Sequence, residues 1–178
     1  MKRIILILAV VLAVLCIPLI AMQFSDQVQW SVSDFIIMGL VLSAVGLMYE
    51  FIARKSSNWP YRIAFGLSLA GIFLLFWVNA AVGIVGNENQ PINLLFGLVI
   101  LWVIGGAVIV RYRSSGMSLI LFGASLIQFL IPIIGWLIWP APNTSWSPGV
   151  AQVFMLNAFW VILFSFAGLL FRRTTQPN

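Results

Sequence analysis

The chain has 178 residues, of which 62% are hydrophobic and only 7% charged, with a formal charge of +5. A water-soluble domain needs polar and charged residues over its exterior, so this composition excludes one. The positive charge does not read as a nucleic-acid surface, because the cations stand in ones to threes at the ends of hydrophobic stretches and form no run that would track phosphates.

Six stretches, at 3–22, 34–53, 61–85, 92–110, 117–139 and 150–171, are apolar enough to cross a bilayer. About twenty residues of helix span a ~30 Å hydrocarbon core, and in that core each segment must be helical, because every N–H and C=O has to be satisfied within it. The expected fold is therefore all-α: a polytopic helical membrane protein, a single integral membrane domain over 1–178.

The first segment follows "MKR" and also fits a cleavable signal peptide. Its apolar core is nearer twenty residues than the usual ~7–15, and Leu19-Ile20-Ala21 is only a passable cleavage site, so a retained helix is expected. It carries the single cysteine, Cys16. A bacterial lipoprotein signal wants a small residue before its cysteine, and here Leu15 stands there, so Cys16 reads as a small buried hydrophobe. One cysteine and no histidine allow no intrachain disulfide and remove most zinc, haem and iron–sulfur options; no cofactor and no metal are expected.

Orientation follows from the basic residues. Lys2 and Arg3 precede the first segment; Arg54, Lys55 and Arg62 lie between the second and third; Arg111 and Arg113 between the fourth and fifth; Arg172 and Arg173 after the sixth. Six crossings place all of them on one side, with Asp26, Asp34 and Glu88 on the other. The positive-inside rule then gives cytoplasmic N- and C-termini. Trp30, Trp136, Trp139 and Trp146 mark the outer face, and Tyr49, Trp59, Tyr61 and Tyr112 the inner one.

In the second segment Glu50 precedes Arg54 by one helical turn, which predicts an interfacial ion pair, the alternative being a proton-carrying carboxylate. A weak repeat relates "GLVLSAVGLMYEFIARKSS" from Gly39 to "GLVILWVIGGAVIVRYRSS" from Gly97, and "FGLSL" from Phe65 to "FGASL" from Phe122. The repeated unit is two helices joined by a basic turn, so its copies run parallel, as in some transporters.

The join of the third and fourth segments, "FWVNAAVGIVGNENQPIN" (76–93), is the most polar interruption. A third helix reaching Val85 puts Asn79, Gly83 and Gly86 near one stripe, where small residues admit a neighbouring helix and an amide bonds across. Gly86 suits the helix end, Asn89 or Gln90 caps the next helix, Pro91 opens it, and Glu88 sits near its positive end. Turn chemistry leaves Asn79, Glu88 and Asn93, one turn inside the fourth helix, without a local role. Gln128, one turn before the helix-bending Pro132, with Gln152 and Asn157 in the sixth segment, are the expected partners of Asn79.

Catalytic equipment is sparse. There is no histidine, no acidic pair within a helix, no glycine-rich phosphate loop and no nucleophile beside a base. The expectation is that the chain is not an enzyme.

"VQWSVSDF" (28–35), "GLMYE" (46–50) and "WVNAAVGIVGNENQPINLLFG" (77–97) together resemble a group of small uncharacterised bacterial inner-membrane proteins with a WVNxAVGIxGxExN hairpin. Position by position the resemblance draws attention to Trp30, Asp34, Tyr49, Glu50, Asn79, Gly83, Gly86, Glu88, Asn89 and Asn93, and it implies a bacterial inner-membrane location. Two functions follow as expectations. One is a structural, accessory or assembly protein whose periplasm-facing polar cluster closes the second to fourth helices. The other is a small transporter or binder of a cation or polar solute, using Trp30, Asp34, Asn79, Glu88, Asn89 and Asn93. Expected partners are the lipid bilayer and a second copy or a membrane-complex subunit, and no nucleic acid.

Overall fold

The computed structural model describes residues 2–25, 28–87, 89–141 and 143–174, and for Lys55 the backbone alone. Among the described residues the structure is all-helical, with six helices long and apolar enough to cross a membrane. The chain divides into two compact units, Met1–Lys55 and Ser56–Asn178.

The first unit is a helical hairpin, α1 (Lys2–Phe24) and α2 (Val32–Phe51), ending in a 3-10 turn at Ala53–Lys55. The two helices meet through α2 glycines: a methyl group at Gly39 would lie 3.4 Å from Leu15 Cδ1, and one at Gly46 would lie 2.6 Å from Ile7 Cγ2. Within α1 only Val11 and Pro18 are buried, and within α2 only Met38. Cys16 is exposed, not buried as expected: the hairpin has one packed seam, and Cys16 lies off it.

The second unit is a four-helix bundle of α3 (Trp59–Ala81), α4 (Leu95–Ile109), α5 (Ser114–Ile138) and α6 (Val150–Arg173), with a 3-10 turn at Pro91–Leu94 leading into α4. Each helix packs on two others, in the ring α3–α4–α5–α6. Leu75, Phe96, Val99, Leu121, Phe164 and Trp160 fill the centre. Glycines set the close approaches: Gly71 faces Phe164, Gly106 faces Ile120 and Gly123 faces Trp102.

Most helix boundaries shift by one to three residues from those read in the sequence, and two of the shifts around the 76–93 join have a local cause. The third helix stops at Ala81, not Val85, because Val82 closes it and Gly83 turns left-handed at φ 73°. Gly83 therefore stands just past the helix end, where a residue without Cβ is favoured. Gly86, at φ 72°, is a loop residue, so the stripe expected for Asn79, Gly83 and Gly86 does not exist. The fourth α-helix begins at Leu95, which puts Asn93 in the 3-10 turn before it. The two basic turns matched by the sequence repeat also fold differently: the first is the Ala53–Lys55 3-10 turn, the second a left-handed reversal at Arg111 and Tyr112.

Candidate functional site

Asn93 is the centre of the polar interruption. Its side chain is buried at 3% exposure and makes four hydrogen bonds to the backbone of its own connecting loop. Oδ1 accepts from Ile84 N at 3.1 Å and Val85 N at 3.0 Å; Nδ2 donates to Val85 O at 3.0 Å and Asn87 O at 2.6 Å. These bonds explain the early end of α3. Residues 84 and 85 find in one asparagine the partner that a further turn of helix would otherwise supply. Ile84 and Val85 are thereby held inward, both buried.

Asn79, in the last turn of α3, donates from Nδ2 to Asn93 O at 3.0 Å. It ties the helix to the 3-10 turn across the hairpin, and its partner is not Gln128, Gln152 or Asn157 as expected, because the inward-folded loop brings Asn93 to it first. Among the described residues Asn79 Oδ1, which is buried, has no partner. Asn89 is exposed and gives its backbone N–H to Asn87 Oδ1 at 3.0 Å, an Asx turn. Gln90 precedes the 3-10 turn without a side-chain cap. Glu88 and Asp26 lie outside the described residues.

A second connection closes over this loop. Gly86 N donates to Ser147 O at 3.2 Å, and Trp146, 5% exposed, donates from Nε1 to Trp139 O at 2.7 Å. Ile92 fits against Gly135 so tightly that an added methyl there would collide with it. This end of the bundle is a packed cap of two loops.

The other polar residues fall on one seam. Gln128 and Asn157, at 0% and 2% exposure, pair through Gln128 Nε2 and Asn157 Oδ1 at 2.7 Å, and Asn157 Nδ2 donates to Val153 O at 2.8 Å. Along the same α5–α6 contact Ser125 Oγ donates to Val161 O at 3.0 Å and lies 2.8 Å from Ser165 Oγ, while Ser118 Oγ donates to Gly168 O at 2.9 Å. Gln128 Oε1 is buried without a partner. Gln152 is exposed on the first turn of α6, against Gly149. Two residues outside the expected set matter most here, Ser118 and Ser125. Their spacing of two turns, continued by Gln128, was a readable signal of one helix face.

In the first unit Asp34 is occupied locally. Its Oδ2 accepts from Ser31 N and Ser31 Oγ, each at 2.7 Å, while Ser31 Oγ accepts from Asp34 N, which makes a capping box at the start of α2. Trp30 meets Phe35 edge-on, ring centroids 5.2 Å apart. At the far end Glu50 joins two arginines, Arg54 Nη1 at 3.0 Å and Arg3 Nη1 at 3.3 Å; the second contact needs the packing of α1 on α2 and was not foreseen. Among the described residues no group of three or more His, Cys, Asp or Glu side chains converges.

Chemically, these are groups that hold backbone. The amides and the carboxylates of Asp34 and Glu50 bond to loops, helix ends, each other or neighbouring cations, and among the described residues three buried side-chain atoms lack a partner: the amide oxygens of Asn79 and Gln128, and Arg62 Nε. The architecture is that of a small helical membrane protein. Comparison with known protein families, with curated proteins and with solved structures gives no match.

Proposed function

We propose that this chain is a structural or accessory protein of a bacterial inner membrane, in which intramembrane polar groups fasten helices and loops and carry no chemistry. One observation carries the proposal: Asn93, one of the three residues left unexplained by turn chemistry, has both polar atoms of its side chain bonded to the backbone of its own hairpin. A ligand at Asn93 would have to displace bonds that define the loop. Asp34 supports the same role, since its carboxylate serves a helix cap. The inner membrane is favoured by the resemblance of the hairpin, and cytoplasmic termini by the gathering of the cations at alternate connections. A second copy or a membrane-complex subunit is the proposed partner, and no catalytic role is assigned.

A transporter or solute binder is the second reading, and the buried, unpartnered oxygens of Asn79 and Gln128 favour it. One set of variants separates the two. Asp34→Asn, Asn79→Ala and Asn93→Ala are purified in detergent, melted, and reconstituted in vesicles for cation and solute flux. The structural role predicts lowered melting temperatures and no flux above empty vesicles in any sample. Flux through the native chain that Asn79→Ala removes, with its melting temperature unchanged, would replace the first reading by the second.

A further inference from the structure

The α4–α5 turn has a feature that helix fastening does not use. A cleft of about 390 Å³ opens there, lined by Ile109, Val110, Arg111, Arg113, Ser115 and Gly116. Both arginines are exposed. Among the described residues neither guanidinium has a hydrogen-bond or ion-pair partner, and the carboxylates of Asp34 and Glu50 are engaged elsewhere. We propose that this cleft binds a phosphate group, carried by an anionic phospholipid headgroup.

The turn is shaped to present the two cations together. Arg111 N donates to Val108 O at 3.0 Å and Tyr112 N to Ala107 O at 3.0 Å, the paired bonds of a Schellman ending. That ending puts Arg111 at φ 53° and Tyr112 at φ 58°, a region glycine occupies without steric cost and other residues do not. The turn is pinned from α3 as well, since Tyr61 Oη donates to Tyr112 O at 2.7 Å. Arg113 then stands at the start of the 25-residue α5 with no side-chain cap, so a third source of positive potential, the amide end of a long helix, meets the two guanidinium groups.

Guanidinium groups match the planar, two-point geometry of phosphate oxygens, and a pair of them suits a phosphodiester. The volume falls in the range of small-molecule pockets, roughly 300–1,000 Å³, and exceeds what a bare ion needs. The wall beside the arginines is apolar, with Ile109 at 81% exposure. The turn joins two spans, Pro91–Ile109 and Ser114–Ile138, which sets it at the depth where lipid phosphates lie. Apolar wall, cationic rim and interfacial depth together describe a lipid more closely than a free ion.

The test uses the full chain in nanodiscs of phosphatidylcholine, titrated with phosphatidylglycerol in one arm and inorganic phosphate in the other, with binding read by native mass spectrometry and by thermal shift. Phosphatidylglycerol is expected to bind and stabilise, and R111Q/R113Q to weaken that binding by roughly tenfold or more, as two interfacial cations are lost. R172Q/R173Q, which removes equal charge at another helix end, is expected to keep most of the binding. Arg111→Gly gives the sharpest readout: relief of the left-handed residue raises the melting temperature without lipid, while the lipid response falls. A response to inorganic phosphate that R111Q/R113Q abolishes supports the phosphate site and identifies a soluble ion as its ligand. Equal losses in the two double variants, or none in R111Q/R113Q, would overturn the proposal.

Discussion

The α1–α2 hairpin and the α3–α6 bundle are both built from helices apolar enough to cross a membrane, yet they place their polar residues in opposite ways. In the hairpin those bonds sit at the two ends, a Ser31–Asp34 capping box at one and the Arg3–Glu50–Arg54 cluster at the other, with small apolar contacts at Gly39 and Gly46 between. In the bundle they run through the interior, from Ser118 through Ser125 to the buried Gln128–Asn157 pair. Lipid tails are as apolar as leucine, so burial of apolar surface gives helices no preference for each other over lipid; packing and interhelical hydrogen bonds must provide it. The bundle has that provision at depth, and the hairpin has it only at its rims.

The contrast is broken most directly at Asn93. Asn93→Ala removes four side-chain bonds and leaves the N–H groups of Ile84 and Val85 and the carbonyls of Val85 and Asn87 in a packed loop without them. Unpaired buried groups cost about 1–3 kcal/mol each, partly relieved by water, so a loss of about 3–5 kcal/mol is expected in a reversible detergent or denaturant titration. A loss below about 1 kcal/mol would mean that the loop is not held by this residue. Gly83→Ala probes the same turn from the backbone. A methyl group there would lie 2.5 Å from the Asn87 carbonyl carbon and 2.7 Å from Asn93 Nδ2, at φ 73°. A smaller loss, about 1–3 kcal/mol, is expected by the same titration.

Why Asn93 was visible in the sequence and its role was not follows from these contacts. Hydropathy and the recurring cations placed the six helices, because length and charge at the ends are properties of the chain itself. Subtracting ordinary turn chemistry from the join at 76–93 also leaves Asn79, Asn93 and Glu88, the last outside the described residues. The partners of Asn79 and Asn93 depend on where α3 stops, and that depends on Gly83 turning left-handed two residues before Val85, the end of the third apolar segment. Ser118 and Ser125 are hard to read in the sequence for a different reason: single hydroxyls hardly change the hydropathy of a helix, and only their shared face with Gln128 gives them away. The Arg3–Glu50 bond joins the first turn of α1 to the last turn of α2, far apart in sequence, a contact created by packing α1 on α2.

The interior seam gives the next smaller effect. Gln128→Leu removes the orphaned Oε1 together with the donor to Asn157, so gain and loss partly cancel. A double-mutant cycle of Gln128→Leu with Asn157→Leu isolates their contact, and an interaction of about 0.5–1.5 kcal/mol is expected, in line with interhelical hydrogen bonds measured in lipid. A coupling of zero would remove the Gln128–Asn157 pair from the account of why the bundle coheres and leave it to packing alone.

The smallest effect is expected at the rim of the hairpin. Glu50 is 17% exposed as a side chain and bridges Arg54 and Arg3, whose side chains are 38% and 62% exposed. Glu50→Gln removes the charge and keeps the shape. Both guanidinium groups already reach water, so they recover hydration when the carboxylate is lost, and salt screens what attraction the pair had. No measurable change in melting temperature is therefore expected at physiological ionic strength, with a small decrease emerging only at low salt. The local signature is fraying: amide exchange in the last turn of α2 quickens, while exchange at Met38, in the buried seam, stays as it was. A fall in melting temperature as large as that of Asn93→Ala, insensitive to salt, would show that the hairpin depends on a desolvated ion pair at its end. Its polar bonds would then be as deep in effect as those of the bundle, and the contrast between the two units would be one of position only.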